Sequence, residues 1–293
     1  MNTVIIDKND QRIELKGAKI YTNDHTIPLK LIDLLILTES AKITPKTIVN
    51  LTNENVPLLF LSNDSKKFAI TLPAISKNSE QKVLQYKALS KNIEIAKGLL
   101  FEKFTTHKTS LEKYDIVMSI EDELTSLALA KDIDTMMGIE GALARKYFGH
   151  YFSLFERKLT KGYRSKNPPL DPVNATLSYI YTLGYNTITA KLYMRGFEPS
   201  ISYLHIPFRN HFALSSDILE TLRSDINNFV ADLFLSHTLT TDDFTLKGGV
   251  YLTQNGRTKL WMTLKPFMNK LNKKVNKKIA TLKKQIESNT TLS

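Results

Sequence analysis

The feature that most constrains the fold is a change of pattern near residues 73–80. Upstream, short apolar pieces recur: TVIID, RIEL, AKIY, LLIL and PLLFL, parted by polar clusters such as DKNDQ and TNDHT. Short β-branched and aliphatic runs bounded by Asn, Asp and Ser mark strands and their turns. One helix, residues 45–53, interrupts them, and LSNDSKK reads as a hairpin turn before FAITL. LPAISKNSE is then a Pro/Ser/Asn connector, after which strand signals nearly vanish.

Downstream the spacing turns helical. From Gln81 to Thr105, apolar residues fall at Val83, Leu84, Tyr86, Leu89, Ile93, Ala96 and Leu100, which predicts a long helix. Ser119 can cap a helix whose first turn holds Glu121, Asp122 and Glu123. Asp171-Pro172 is a cap followed by a first-turn proline, and Gly196 is a stop. Ser215 or Ser216 can cap a helix running through Ile218, Leu222, Ile226, Phe229 and Leu233. The expected fold class is therefore α+β: a small β-rich N-terminal domain over residues 1–75, then a large all-α C-terminal domain over residues 76–293. No internal repeat is visible.

Charge then narrows the function. The formal net charge is +11 over 293 residues, which points to a polyanionic partner, nucleic acid before a membrane surface. A merely basic soluble enzyme is the plainer alternative. The chain has no cysteine, which excludes disulfides, thiolate metal sites and cysteine nucleophiles. MNTVIIDKND has no basic leading region and meets Asp7 after three apolar residues, so it does not read as a signal peptide. The most apolar run, LIDLLIL, is short and carries Asp33, so no segment is expected to span a bilayer. A soluble cytoplasmic protein with no membrane partner is expected.

Four residues stand out as candidates for chemistry. In MMGIEGALARKYFGHYF, Glu140 shares a helical face with Ala144, Tyr147 and Tyr151. A carboxylate on such a face must be paired or metal-bound, because burying it alone is costly. A glutamate paired to a core arginine is the ordinary explanation. Gly138, Gly141, Ala142 and Ala144 make the helix surface small around it, suggesting a close approach. In LHIPFRNHFALSSDILETLR, Asp217 and Glu220 point together off one flank of a helix, twelve or more residues after His205. Taken singly, these are solvated first-turn acids and a structural histidine.

As a set, Glu140, His205, Asp217 and Glu220 offer one imidazole and three carboxylates without a thiolate. That donor chemistry suits Mg²⁺ or Mn²⁺ better than Zn²⁺, and such ions serve phosphoryl transfer on nucleic acid. Arg164 and Lys166, in YRSKNPPLDPVN, precede a helix N-terminus, a place suited to phosphate. Residues 265–284 carry eight lysines and no acid. Either a solvated terminal helix or a direct contact with DNA fits that run. No P-loop, GxGxxG, zinc spacing or GxSxG occurs.

This combination resembles the CRISPR-associated adaptation integrase family, Cas1. The matching pieces, in order, are GIEGALARKYF, PPLDPVNATLSYIYTLGY, FEPSISYLH, SSDILETLR and KGGVYLTQNGR. IPLKLIDLLILTESAKIT and NVPLLFLS resemble the family's β-domain. The H-x11-D-x2-E spacing of His205, Asp217 and Glu220 completes the set. The sequence departs from the family pattern at Lys166-Asn167, where paired arginines are common, and at Ser202, where glycine is common.

The resemblance implies a β-domain followed by a helical catalytic domain, assembled as a homodimer. It implies metal ligands at Glu140, His205 and Glu220, with Asp217 at an additional acidic catalytic position. It implies a metal-dependent DNA endonuclease and integrase acting with a Cas2 dimer. That enzyme inserts double-stranded spacer DNA into the repeat by transesterification from a 3′-hydroxyl. A related integrase of a mobile element has the same site, and a non-catalytic DNA-binding scaffold is the alternative from another class.

Overall fold

The structure is a computed structural model and describes residues 2–6, 12–22, 26–38, 41–62, 67–73, 79–207 and 211–290. Among the described residues, eight strands, one α-helix and a 3-10 turn (Leu29–Leu31) precede residue 72: β1 (Asn2–Ile6), β2 (Arg12–Lys16), β3 (Lys19–Tyr21), β4 (Thr26–Pro28), β5 (Ile32–Thr38), β6 (Lys42–Ile43), α1 (Pro45–Asn53), β7 (Leu58–Leu61) and β8 (Phe68–Thr71). The strands form two four-stranded sheets, ordered β1-β5-β7-β8 and β4-β3-β2-β6. In the first sheet β1, β5 and β7 run parallel and β8 returns antiparallel, pairing Leu59 with Ile70. The tip of that hairpin, and the middle of the connector before residue 79, lie outside the described residues.

β5 is the LIDLLIL run, and its near-continuous apolar character has a simple cause. It is a central strand buried on both faces. Leu34 and Ile36, with Leu59 and Leu61 of β7, join the core of the helical body. Their neighbours Leu35, Leu37 and Leu58 face a second core with Ile13, Ile20 and Leu51. The period-two alternation of a strand thus joins the sheet to the helices. Asp33 in the same strand is spent on this junction: its carboxylate accepts hydrogen bonds from Lys191 (2.6 Å), Asn276 (3.3 Å) and Thr3 (3.1 Å).

The remainder is helical: α2 (Ser79–Lys87), α3 (Asn92–Glu112), α4 (Glu121–Leu129), α5 (Ile133–Phe152), α6 (Pro172–Met194), α7 (Ala213–Glu220) and α8 (Arg223–Leu235). A two-stranded ribbon, β9 (Phe244–Leu246) and β10 (Val250–Leu252), follows, and α9 (Gln254–Thr290) ends the described chain. No helix is long and apolar enough to cross a membrane among the described residues.

Several helix ends lie where the sequence puts them. Asp171 caps α6 through a 2.7 Å bond from the Asn174 amide, with Pro172 in the first turn. Gly196 ends it at φ +80°, a left-handed conformation that favours glycine. Other expectations need correction. The long helix expected from Gln81 to Thr105 breaks at a 3-10 turn, Ala88–Lys91, and α3 then runs on to Glu112. Val83, Tyr86 and Leu89 are exposed, because α2 faces the body with Gln81 and Gln85. Ser119 does not cap α4; it donates to the Glu121 carboxylate, which itself accepts from the Ile120 amide at 2.9 Å.

The helix expected from Ser215 or Ser216 through Leu233 is two helices. α7 starts earlier, at Ala213, and ends at Glu220. Ser215 then lies inside it, 2.8 Å from the Thr189 hydroxyl, and Ser216 meets His211 Nε2 at 2.8 Å. Its apolar stripe nevertheless stays buried across the break, at Ile218, Leu222 and Ile226.

Candidate active site between α3, α5, α7 and α8

The break between α7 and α8 sets the site. Glu220 closes α7 and Arg223 opens α8, so the two side chains meet across the turn at 2.8 Å. Beside them a pocket of about 540 Å³ opens, lined by Lys103 of α3, Glu140 of α5, His205, Glu220 and Arg223. Glu140, His205 and Glu220 thus converge from three separate segments. The solvated first-turn reading of Asp217 and Glu220 does not hold: their side chains are 0% and 5% exposed.

Asp217 does not line this pocket. Its Oδ2 accepts from the amides of Tyr203 (2.8 Å) and Leu204 (3.1 Å). Its Oδ1 accepts from the His205 amide (3.0 Å) and meets His205 Nδ1 at 2.8 Å. The carboxylate therefore folds the loop and orients the imidazole. In the neutral imidazole it places the proton on Nδ1 and leaves Nε2 bare, 3.9 Å from Glu220 Oε1. Burial alone would lower the His205 pKa; the hydrogen bond and charge of Asp217, then Glu220, outweigh it and raise it. In this arrangement the Asp217 carboxylate is taken up by the loop amides and the His205 ring.

Gln85 holds the same loop from the other side. Its amide donates to the carbonyls of Glu198 (3.0 Å) and Ile201 (2.8 Å) and accepts from the Glu198 amide (2.8 Å). Sequence reasoning missed this residue.

It also missed Lys103. Its ammonium bridges Glu140 and Glu220, 2.5 Å from Glu220 Oε2, with only 3% of its side chain exposed. The Glu140 partner is thus this lysine, where a core arginine was the ordinary expectation. Burial would raise the Glu220 pKa, but Arg223, Lys103 and His205 outweigh it and hold the carboxyl well below the usual range. His107, one turn after Lys103, is fully buried, and burial together with the Lys103 charge pushes its pKa down to about 3. It is neutral at any ordinary pH. The signal for both was available: Lys103, His107 and Ser110 fall on the buried stripe of α3 beside Leu100, Phe104 and Leu111.

Behind the pocket, Asn227 of α8 gathers three tyrosines. Its Nδ2 donates to Tyr147 Oη at 2.9 Å, its Oδ1 accepts from Tyr181, and its carbonyl accepts from Tyr151 at 2.9 Å. Arg223 and Arg164 flank the Tyr181 ring, 4.8 and 5.6 Å from its centroid. Arg164 is further tied to Asn174 Oδ1 (2.8 Å) and Ser178 Oγ (3.0 Å), while Lys166 on the same loop is exposed. This loop is buttressed by the ribbon: Val250 donates to the Pro169 carbonyl at 2.8 Å. A Cβ at Gly249 would stand 2.6 Å from Pro168, which explains the glycine of KGGV. At Gly138 and Gly141, by contrast, an added Cβ would meet open space, so among the described residues none makes the close approach expected there.

Among the described residues, no three His, Asp or Glu side chains stand at ligand distances from one point. The donor set still fits a hard cation. It offers two carboxylates and a bare imidazole nitrogen, and a cation, the Lys103 ammonium, already lies between the carboxylates.

Comparison with known proteins identifies the family and the fold. The model of the family "CRISPR associated protein Cas1" matches residues 2–265. A CRISPR-associated endonuclease Cas1 of Thermodesulfovibrio yellowstonii is 30% identical over 290 residues, 89% of each chain. The fold matches a Cas1 protein from Thermotoga maritima with a TM-score of 0.84 at 18% identity, covering 98% of this chain and 97% of that one. It also matches a casposase bound to an integration product, with a TM-score of 0.75 at 23% identity, covering 91% and 82%. With the family model spanning nearly the whole chain and a curated relative aligned along most of its length, the chain belongs to the Cas1 family of CRISPR-associated proteins.

Proposed function

We propose that this protein is a divalent-metal-dependent DNA endonuclease and integrase of CRISPR adaptation. It joins the 3′-hydroxyl of a spacer fragment to a phosphodiester of the repeat by transesterification. The observation that carries the reading is the convergence of Glu140, His205 and Glu220 on one basic pocket. It is also supported by relatives named as endonucleases and by a structural neighbour bound to an integration product.

Each residue has a part. Glu140, Glu220 and His205 Nε2 would hold Mg²⁺ or Mn²⁺. Bound there, the ion supplies a Lewis acid for the phosphate and lowers the pKa of the attacking hydroxyl. Asp217 keeps His205 in the tautomer with Nε2 bare. Arg223 and Lys166 bring positive charge to the pocket and bind the phosphates on either side of the reacting bond. The 3′-hydroxyl is the nucleophile, so no protein nucleophile is required.

The working assembly is a homodimer bound to a Cas2 dimer and double-stranded DNA, in the cytoplasm. The structural match to a casposase favours one second reading, an integrase of a mobile element. One assay separates the two. The purified protein, with and without a Cas2 partner, is mixed with a labelled short duplex, Mg²⁺ or Mn²⁺, and one of two plasmids. One plasmid carries a CRISPR repeat and the other carries none. Joining confined to the repeat supports CRISPR adaptation; joining at both plasmids alike supports the mobile element; binding without joining or cutting refutes both.

A further inference from the structure

We propose that the outer face of α9 is a second nucleic-acid contact, a lysine stripe that grips the backbone of duplex DNA outside the pocket. This rests on the reading that the protein acts on DNA, and it concerns residues that reading does not use.

α9 is amphipathic. Leu271, Val275, Ile279, Leu282 and Ile286 are buried along one face. Lys270, Lys273, Lys277 and Lys284 are exposed on the opposite one. Their spacing of three, four and seven residues keeps them in line. At about 1.5 Å per residue the line is about 21 Å long. Duplex DNA presents one charge per about 1.7 Å of axis, so about a dozen phosphates pass along such a length.

The stripe has no structural explanation. Lysines that only keep a helix soluble are commonly offset by acids three or four residues away, as Lys283 is by Glu287 at 3.7 Å. Residues 265–284 hold no acid. Lys274 and Lys278 do find carboxylates, Asp225 of α8 and Glu102 of α3, the helices that also carry Arg223 and Lys103. Lys270, Lys273, Lys277 and Lys284 have no carboxylate partner among the described residues. Like charges at this spacing repel one another along a helix. A cost without a structural return points to a ligand, and a repeating line of cations fits a repeating line of phosphates.

The test is the salt dependence of binding to a duplex of about 30 base pairs, long enough to reach beyond the pocket. The full-length protein is compared with a variant carrying Lys270→Gln, Lys273→Gln, Lys277→Gln and Lys284→Gln, and with the four Lys→Arg changes. The slope of log affinity against log salt is expected to fall by about 3 to 4 in the glutamine variant. The arginine variant should keep it. An unchanged slope with intact DNA binding overturns the stripe alone. Failure of the unmodified protein to bind any duplex overturns both the stripe and the DNA reading. Lysine-dependent binding to phosphatidylglycerol vesicles, with duplex binding untouched, also overturns it.

Discussion

Lys103 Nζ lies 2.5 Å from Glu220 Oε2, and both side chains are nearly fully buried. The same ammonium holds Glu140. Without a metal, this lysine and Arg223 are what allow two carboxylates to share one pocket. Removing one partner of a buried ionic group leaves uncompensated charge, at a cost of about 3–5 kcal/mol. Lys103→Met is therefore expected to lower the melting temperature in chelator by many degrees. Millimolar Mn²⁺ should restore more of that stability in the variant than it adds to the unmodified protein. Equal melting of the two proteins in chelator would remove Lys103 from this role.

The His205–Asp217 bond gives a second expectation. Asp217→Asn keeps the shape but offers Nδ1 an amide in place of a carboxylate. Loss of such a supporting partner typically costs about 10–100-fold in metal affinity or activity. Titration calorimetry with Mn²⁺ should show weakening of that order. The variant also disturbs the loop amides that Asp217 accepts from, so circular dichroism must first show an intact fold. Unaltered metal affinity in a folded variant would mean that Asp217 serves the loop alone.

Asp33 and Lys191 join the β-sheets to the helices, with side chains 11% and 5% exposed. Burial pushes the Asp33 pKa up, but the charge and hydrogen bond of Lys191 outweigh it, so the folded value is depressed. A depressed carboxyl contributes stability that is present above its unfolded pKa, about 3.9, and lost as pH falls through the folded value. Stability should therefore decline below about pH 4, and Asp33→Asn should flatten that decline. At pH 7, Asp33→Ala strands the Lys191 ammonium and should cost about 3 kcal/mol or more by urea unfolding. An Asp33→Asn profile with the same acid limb would refute the assignment.

Much of the fold was legible because its signals were local. Asp171-Pro172 and Gly196 mark both ends of α6, and the short apolar runs LLIL and PLLFL mark the paired strands. The break at Thr221 and Leu222 was not legible, since no glycine or proline stands there and the apolar stripe continues through it. That break is a tertiary effect, favoured by the Glu220–Arg223 contact and the packing of both helices on α6. Of the site, the residue pattern singled out Glu140, His205, Asp217 and Glu220 together, and only the family resemblance set Asp217 apart from the three expected ligands. Asp217 and Glu220 differ only in what packs around them: loop amides for one, Lys103 and Arg223 for the other. Lys103 escaped notice because a lysine within a helix usually reads as solvated.

The most direct measurement is strand joining by single and paired variants. Glu140→Gln, His205→Gln and Glu220→Gln would each be assayed in Mg²⁺ and Mn²⁺ on a labelled duplex with a repeat-bearing plasmid, beside Glu140→Gln/Glu220→Gln. If the three side chains act as one unit, each single change removes about 10³-fold or more of the joining rate, and the pair is hardly worse than either single. DNA binding should persist throughout, because Arg223 and Lys166 remain. Substantial joining by any single variant, or losses that multiply in the pair, would contradict a common site for Glu140, His205 and Glu220.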